Sequence, residues 1–226
     1  MSALLVVDVQ YDFIDGSLAV KDSEAILPVV HDLLDDSARW DLVIASQDYH
    51  PAGHVSFASA HDLPAFQPVR LPHPITNENP TSADEGERLK EGAPEETIVQ
   101  MLWPDHCIQG TKGAEFEEGV RTRLEKLGTK ARVVQKGCHP HIDGYSAFAL
   151  NHYVKFTELP RLLFSNGIRK VTIVGLATDY CVRATAIDAR KFDLEVDIVR
   201  AGVRGVYGER EDTVLKELEK WGCKII

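Results

Sequence analysis

The chain has 226 residues, enough for one α/β domain, and its 44% apolar content can fill a core, which excludes disorder throughout. A net charge of −10 argues against nucleic acid and anionic membrane as partners, and no apolar run approaches the ~18 residues of a membrane span. Cys107, Cys138, Cys181 and Cys223 are scattered without a CxxC pair, as expected of free thiols in a reducing compartment.

The first residues, MSALLVVD, carry no basic segment and read as a first strand rather than a leader, so the expectation is a chain starting at or near Met1 and residing in the cytoplasm. Residues 4–9 are a nearly continuous apolar run, the pattern of a parallel strand buried on both faces. A helix follows over 23–38, with Ile26, Val29, Val30, Leu33 and Leu34 on one stripe. After a strand at 42–46, periodicity gives way over 63–96 to prolines and charges. That stretch reads as a long surface excursion, solvated rather than a lid, from a single domain spanning 1–226. Beyond it come a helix over 116–127, a strand at 131–135, a helix over 156–166 and a strand at 171–175. The series closes with a helix over 178–190, a strand at 194–199, a helix over 210–220 and an edge strand at 224–226. Gly167 and Gly222 fit helix C-caps. Alternating strands and helices predict a three-layer, doubly wound α/β fold with a mostly parallel sheet flanked by helices. Ligands then bind beyond the carboxyl ends of the strands.

Residues with chemistry gather at those ends. Thr178 is placed to cap the helix after strand 171–175, which puts Cys181 in the first turn. There the helix dipole favours a thiolate, and backbone N–H groups can hold an oxyanion. A small cysteine packing helix against sheet fits the same residues. Asp8 ends the first apolar run and Lys136 follows strand 131–135, so a base and a cation accompany the thiol. A buried Asp–Lys ion pair beside an unrelated cysteine is the alternative. Asp48 and His50 alternate onto one side of an extended segment, and His106 can complete a set of ligands suited to Zn²⁺, Fe²⁺ or Mn²⁺. Surface or capping histidines would leave the same pattern. Cys107, Cys138 and Cys223 lack a comparable setting and read as structural, and His139 and His141 in GCHPHID read as a solvated turn.

Asp8 in VVDVQYDF, Lys136 in QKG and Cys181 in VGLATDYCVRATA resemble the Asp–Lys–Cys triad of the isochorismatase-like cysteine hydrolases, in the same order over most of the chain. The resemblance implies a cis peptide before Ala177 and an oxyanion hole from the N–H groups of Ala177 and Cys181. QDYHPAGHVSF and LWPDHCIQGT resemble the metal-site segments of the nicotinamidase group, fungal-type in the long excursion and the loop after Lys136. That implies one divalent metal, first of all Zn²⁺, on Asp48, His50 and His106, with His54 open as a further ligand. Phe13 and Trp103 match the group's ring-stacking aromatics, and Tyr145 is placed near the same pocket, with Tyr180 left between pocket and core. The implied reaction is hydrolysis of nicotinamide, or its analogue pyrazinamide, to the acid and ammonia through a cysteine thioester, serving NAD salvage. A homo-oligomer is compatible with this reading. Isochorismatases proper cleave a vinyl ether without a nucleophilic cysteine, so Cys181 speaks against them. A metal-independent amidohydrolase of the family, acting on a carbamoyl or ureido substrate, is the runner-up.

Overall fold

The computed structural model describes residues 1–73 and 97–226. Six strands form one parallel sheet: β1 (Ser2–Val7), β2 (Leu42–Asp48), β5 (Ala131–Lys136), β6 (Lys170–Leu176), β7 (Glu195–Arg204) and β8 (Lys224–Ile225), in the order β5-β2-β1-β6-β7-β8. Strand order reverses at β1, which pairs with β2 on one side and β6 on the other. The alternation of the chain dictates this: each parallel pairing needs a crossover, and the crossovers are the predicted helices.

Strands β1, β2 and β6 are buried almost end to end, which their unbroken apolar runs require of a sheet covered on both faces. Leu4, Val6, Val43, Ala45 and Val174 face a core with Ile26, Val30 and Leu34 of the first helical segment and Val120 and Leu124 of α3 (Glu118–Leu127). Leu5, Val7, Ile44 and Ile173 face the opposite core with α4 (Leu159–Ser165), α5 (Arg183–Lys191) and α6 (Glu211–Lys220). The alternate side chains of each strand thus fill two layers.

Two expectations need correction, and one strand lies at the sheet edge. The stripe over 23–38, which follows the one-turn helix α1 (Tyr11–Ile14), is interrupted: a 3-10 turn (Ser23–Ile26), α2 (Leu27–Asp35) with proline in its first turn, and a second 3-10 turn (Ser37–Arg39). Strand β5 is a sheet edge, with Arg132, Val133 and Gln135 exposed, because nothing pairs beyond it among the described residues. Within the stretch read as irregular, Gln67–Pro72 is strand β3, antiparallel to β4 (Thr97–Leu102). Its prolines, Pro68 and Pro72, are tolerated because, among the described residues, the ribbon has two strands and each keeps an unpaired edge. Residues 74–96 of the predicted excursion lie outside the described residues.

At Gly175 two backbones meet. Its φ is +119°, and an added Cβ would stand 2.0 Å from the Val7 carbonyl oxygen, so only glycine lets β6 lie against β1 here. Both strands release their chains toward the same crevice immediately afterwards.

Candidate active site

Asp8 follows β1, Asp48 and Lys136 end β2 and β5, and Ala177 and Cys181 follow β6. Four strand ends therefore deliver these side chains to one place, where strand order reverses. Lys136 is the junction. Its Nζ donates to Asp48 Oδ1 (2.8 Å), the Gly144 carbonyl (3.1 Å) and Cys181 Sγ (3.3 Å), which uses all three of its protons. Asp8 Oδ2 lies 3.0 Å from the same nitrogen as an ion pair but accepts no aligned hydrogen bond, while Ser46 Oγ donates to Oδ1 at 2.7 Å. One buried carboxylate oxygen beside the thiol is thus left without a proton donor.

The electrostatics follow from burial and these charges. Burial pushes the Asp8 carboxyl up against the opposing pull of Lys136. Burial works the same way on Asp48, but Lys136, His50 and His106 outweigh it and hold that carboxyl well below its usual range. Lys136 stays charged: burial disfavours its ammonium, yet Asp48 and Asp8 raise it well above its usual value. Cys181 departs from the expectation of a thiolate. Burial, with Asp8 and Asp48 nearby, outweighs Lys136 and raises the thiol well above its usual value. Cys181 sits in a π-helical turn (Thr178–Val182) that runs directly into α5, rather than in the first turn of an α-helix. Thr178 does not cap it; its hydroxyl donates to Glu211 Oε2 at 3.3 Å. The peptide between Leu176 and Ala177 is cis.

Beside this cluster, two imidazoles turn toward one carboxylate oxygen. His50 Nδ1 donates to the Gly137 carbonyl (2.9 Å) and His106 Nδ1 to the Pro104 carbonyl (2.7 Å), so in the neutral ring each Nε2 is the atom with the lone pair; burial disfavours the charged form of His50, but Asp48 outweighs it and raises that imidazole above its usual value. Those nitrogens stand 3.4 and 3.9 Å from Asp48 Oδ2. Gly137 makes room for this: an added Cβ would lie 2.4 Å from the His50 ring, and its φ is +64°. Burial and the neighbouring His50 lower His106 to about 4, so it is neutral and ready to ligate. Asp48, His50 and His106 offer one atom each within 4.8 Å of one another, and this donor set suits a divalent cation. His54 falls in a different set, with His50 and Asp143. Its ring stacks on His50 at 4.1 Å, its Nδ1 accepts from Ser56 N (3.3 Å), and its buried Nε2 has no partner.

Cys181 and Ala177 of the first cluster and Asp48, His50 and His106 of the second line one pocket, walled by Phe13, Trp103, Tyr145, Tyr180, Leu18 and Val206. Trp103 Nε1 donates to Tyr145 Oη at 3.3 Å and its ring meets Tyr180 edge-on at 4.7 Å. Cys107 and Cys223 are buried and Cys138 is exposed, and none of the three lines the pocket.

Residues 2–226 match the Isochorismatase domain. The chain belongs to the isochorismatase family. It is 36% identical to the nicotinamidase of Escherichia coli over 93% of this chain and 86% of that protein. It is 30% identical to that of Saccharomyces cerevisiae over 100% and 99%. The yeast nicotinamidase Pnc1p bound to the inhibitor nicotinaldehyde superposes with a TM-score of 0.87 at 28% identity, covering 100% of this chain and 99% of that one. A pyrazinamidase of Pyrococcus horikoshii in complex with zinc matches with a TM-score of 0.72 at 32% identity, covering 100% and 98%.

In this isochorismatase-family site the sequence reading missed Ser46, Gln10 and Asp143. Gln10 grips Asp48 from both sides, donating to its carbonyl and accepting from its N–H, each at 2.8 Å. Asp143 is buried, lines the pocket and accepts from Gln100 Nε2 at 2.9 Å. A buried polar position within an apolar strand is the one signal that could have found Ser46; Gln10 and Asp143 lie in loops with no such mark.

Proposed function

We propose that the protein is an amidohydrolase that converts nicotinamide to nicotinate and ammonia for NAD salvage, and accepts pyrazinamide as an analogue. Similarity to nicotinamidases over most of the chain supports the substrate class. The observation that carries the mechanism is Asp8 Oδ2: buried, without a hydrogen-bond donor, and beside both the Cys181 thiol and the Lys136 ammonium.

Asp8 takes the thiol proton as Cys181 Sγ attacks the carboxamide carbon, and Lys136 stabilises the sulfur's charge. The raised Asp8 carboxyl suits this, since a base that is too acidic holds protons poorly. The N–H groups of Ala177 and Cys181 donate to the oxyanion. Asp8 returns the proton to nitrogen, the C–N bond breaks, and ammonia leaves a thioester on Cys181. Asp8 then draws a proton from water, which attacks the thioester carbon, and the released sulfur recovers a proton as thiol. Phe13, Trp103 and Tyr145 hold the ring between flat apolar walls.

Asp48, His50 and His106 would hold one divalent cation, with zinc the first candidate. Bound there, it supplies a Lewis-acid anchor for a pyridine-type nitrogen and its waters. His54, whose buried Nε2 has no hydrogen-bond partner and whose ring stacks on His50, would serve as a further ligand or as a neighbour of that set. Ammonia release from nicotinamide, pyrazinamide and N-carbamoylsarcosine, with and without a chelator and paired with elemental analysis, tests the reading. Turnover of the first two, suppressed by the chelator, is expected. Preference for N-carbamoylsarcosine, indifferent to chelation, would overturn it in favour of a metal-independent relative.

A further inference from the structure

Between β7 and α6 the chain passes the pocket, and Val206 forms part of its wall. Three consecutive N–H groups of this segment point at carboxylates. Gly205 N donates to Glu211 Oε2 at 2.8 Å, Val206 N to Asp179 Oδ1 at 2.9 Å, and Tyr207 N to Asp179 Oδ2 at 2.9 Å. Successive N–H groups converging on anions make a rigid local structure, because charge-assisted bonds are roughly twice as strong as neutral ones. Both carboxylates also hold the turn that carries the nucleophile. Asp179 belongs to it, two residues before Cys181, and Glu211 Oε2 accepts from the Thr178 hydroxyl. Above this bridge the Tyr207 and Tyr180 rings lie 6.4 Å apart, tilted against each other. Neither carboxylate lines the pocket.

We propose that Asp179 and Glu211 are positioning residues that fix the gap between Cys181 and Val206, and that Val206, held in this way, is the wall that limits ring size. The inference rests on the nicotinamide reading and adds to it where substrate selectivity comes from. The span from nucleophile to wall is set by a bridge of carboxylates, not by side-chain packing alone, so selectivity is controlled by residues that never touch the ring. A methyl group that a wall excludes changes kcat/KM by about 10- to 200-fold.

The test compares kcat/KM for nicotinamide and ring-methylated nicotinamides in the wild type, Val206→Ala, Asp179→Asn, Glu211→Gln and the double variant Val206→Ala with Asp179→Asn, alongside thermal melting of each. Val206→Ala should raise the methylated-to-parent ratio by about tenfold for at least one isomer. Asparagine keeps one acceptor and turns an NH₂ toward an N–H, so Asp179→Asn should raise the same ratio severalfold, with KM carrying most of the loss on nicotinamide. Glu211→Gln should move it less, in the same direction. In the double variant the two gains should not add, because both act on one wall. A purely structural role would lower the melting temperature and reduce both substrates in proportion. An unchanged ratio in Val206→Ala, or in both folded carboxylate variants, would overturn the proposal. A wild type that releases no ammonia from nicotinamide would overturn the reading beneath it instead, and this inference with it.

Discussion

At the thiol end of the pocket Asp8, Lys136 and Cys181 answer one another directly, side chain to side chain, whereas at the imidazole end His50 and His106 are held by the carbonyls of Gly137 and Pro104 with each Nε2 turned toward Asp48. The first end is chemically closed, since Lys136 offsets two buried carboxylates. The second is open to the pocket, since Asp48, His50 and His106 all line it and offer ligand atoms to a divalent cation. Lys136 joins them through Asp48 Oδ1. The two ends should therefore fail separately, except at the lysine.

The largest effect should come from Cys181→Ala. On the proposed mechanism turnover falls by more than about 10⁴-fold, while elemental analysis finds metal content unchanged. Loss of metal along with activity would erase the distinction between the ends. Lys136→Met comes next: it leaves Asp8 and Asp48 buried without a counter-charge, and urea unfolding should record a loss of about 3–5 kcal/mol along with both activity and metal. Gly137→Ala strikes the open end first. Its Cβ would press on the His50 ring, so metal affinity, measured by competition with a chelator, should weaken by about 10- to 100-fold while Cys181 still reacts with an alkylating reagent.

The smallest effect lies outside the pocket and sets the baseline. Glu117 caps α3, accepting from Val120 N at 2.9 Å, and pairs with His31 at 2.9 Å. Burial raises its carboxyl, but hydrogen bonds from Gly119, His31 and Val120 prevail and lower it below the ordinary value of 4.5. A lowered folded value means the stabilisation is complete above that ordinary value and is lost as pH falls through the folded one. Glu117→Gln should therefore cost about 1 kcal/mol at neutral pH, by denaturant unfolding, and progressively less in acid. A penalty that persisted in acid would assign the effect to shape rather than charge.

The open end was the more legible in the amino-acid sequence. Asp48 and His50 are two residues apart on an extended segment, so local alternation alone brings them together. The positions of Asp8, Lys136 and Cys181 could be read as strand ends, but their mutual effect could not. The direction of the Cys181 shift depends on how deeply three strand ends bury it between two carboxylates. Ser46 and Gln10 gain their meaning only when β1 and β2 are aligned in register, and β5 reads as apolar although the sheet leaves it at the edge. Strands β3 and β4 were hidden because prolines in β3 break the usual pattern and the ribbon stands apart from the main sheet.

Gly175 imposes a further consequence. A library of substitutions across the chain should show a sharp trough of tolerance at this position, where any side chain would drive β6 away from the Val7 carbonyl. Gly208, where an added Cβ meets nothing within 4 Å and the backbone is not left-handed, should accept many replacements. Two residues of one kind thus carry very different evolutionary freedom, and the stricter one is set by main chain pressed on main chain just before the crevice opens.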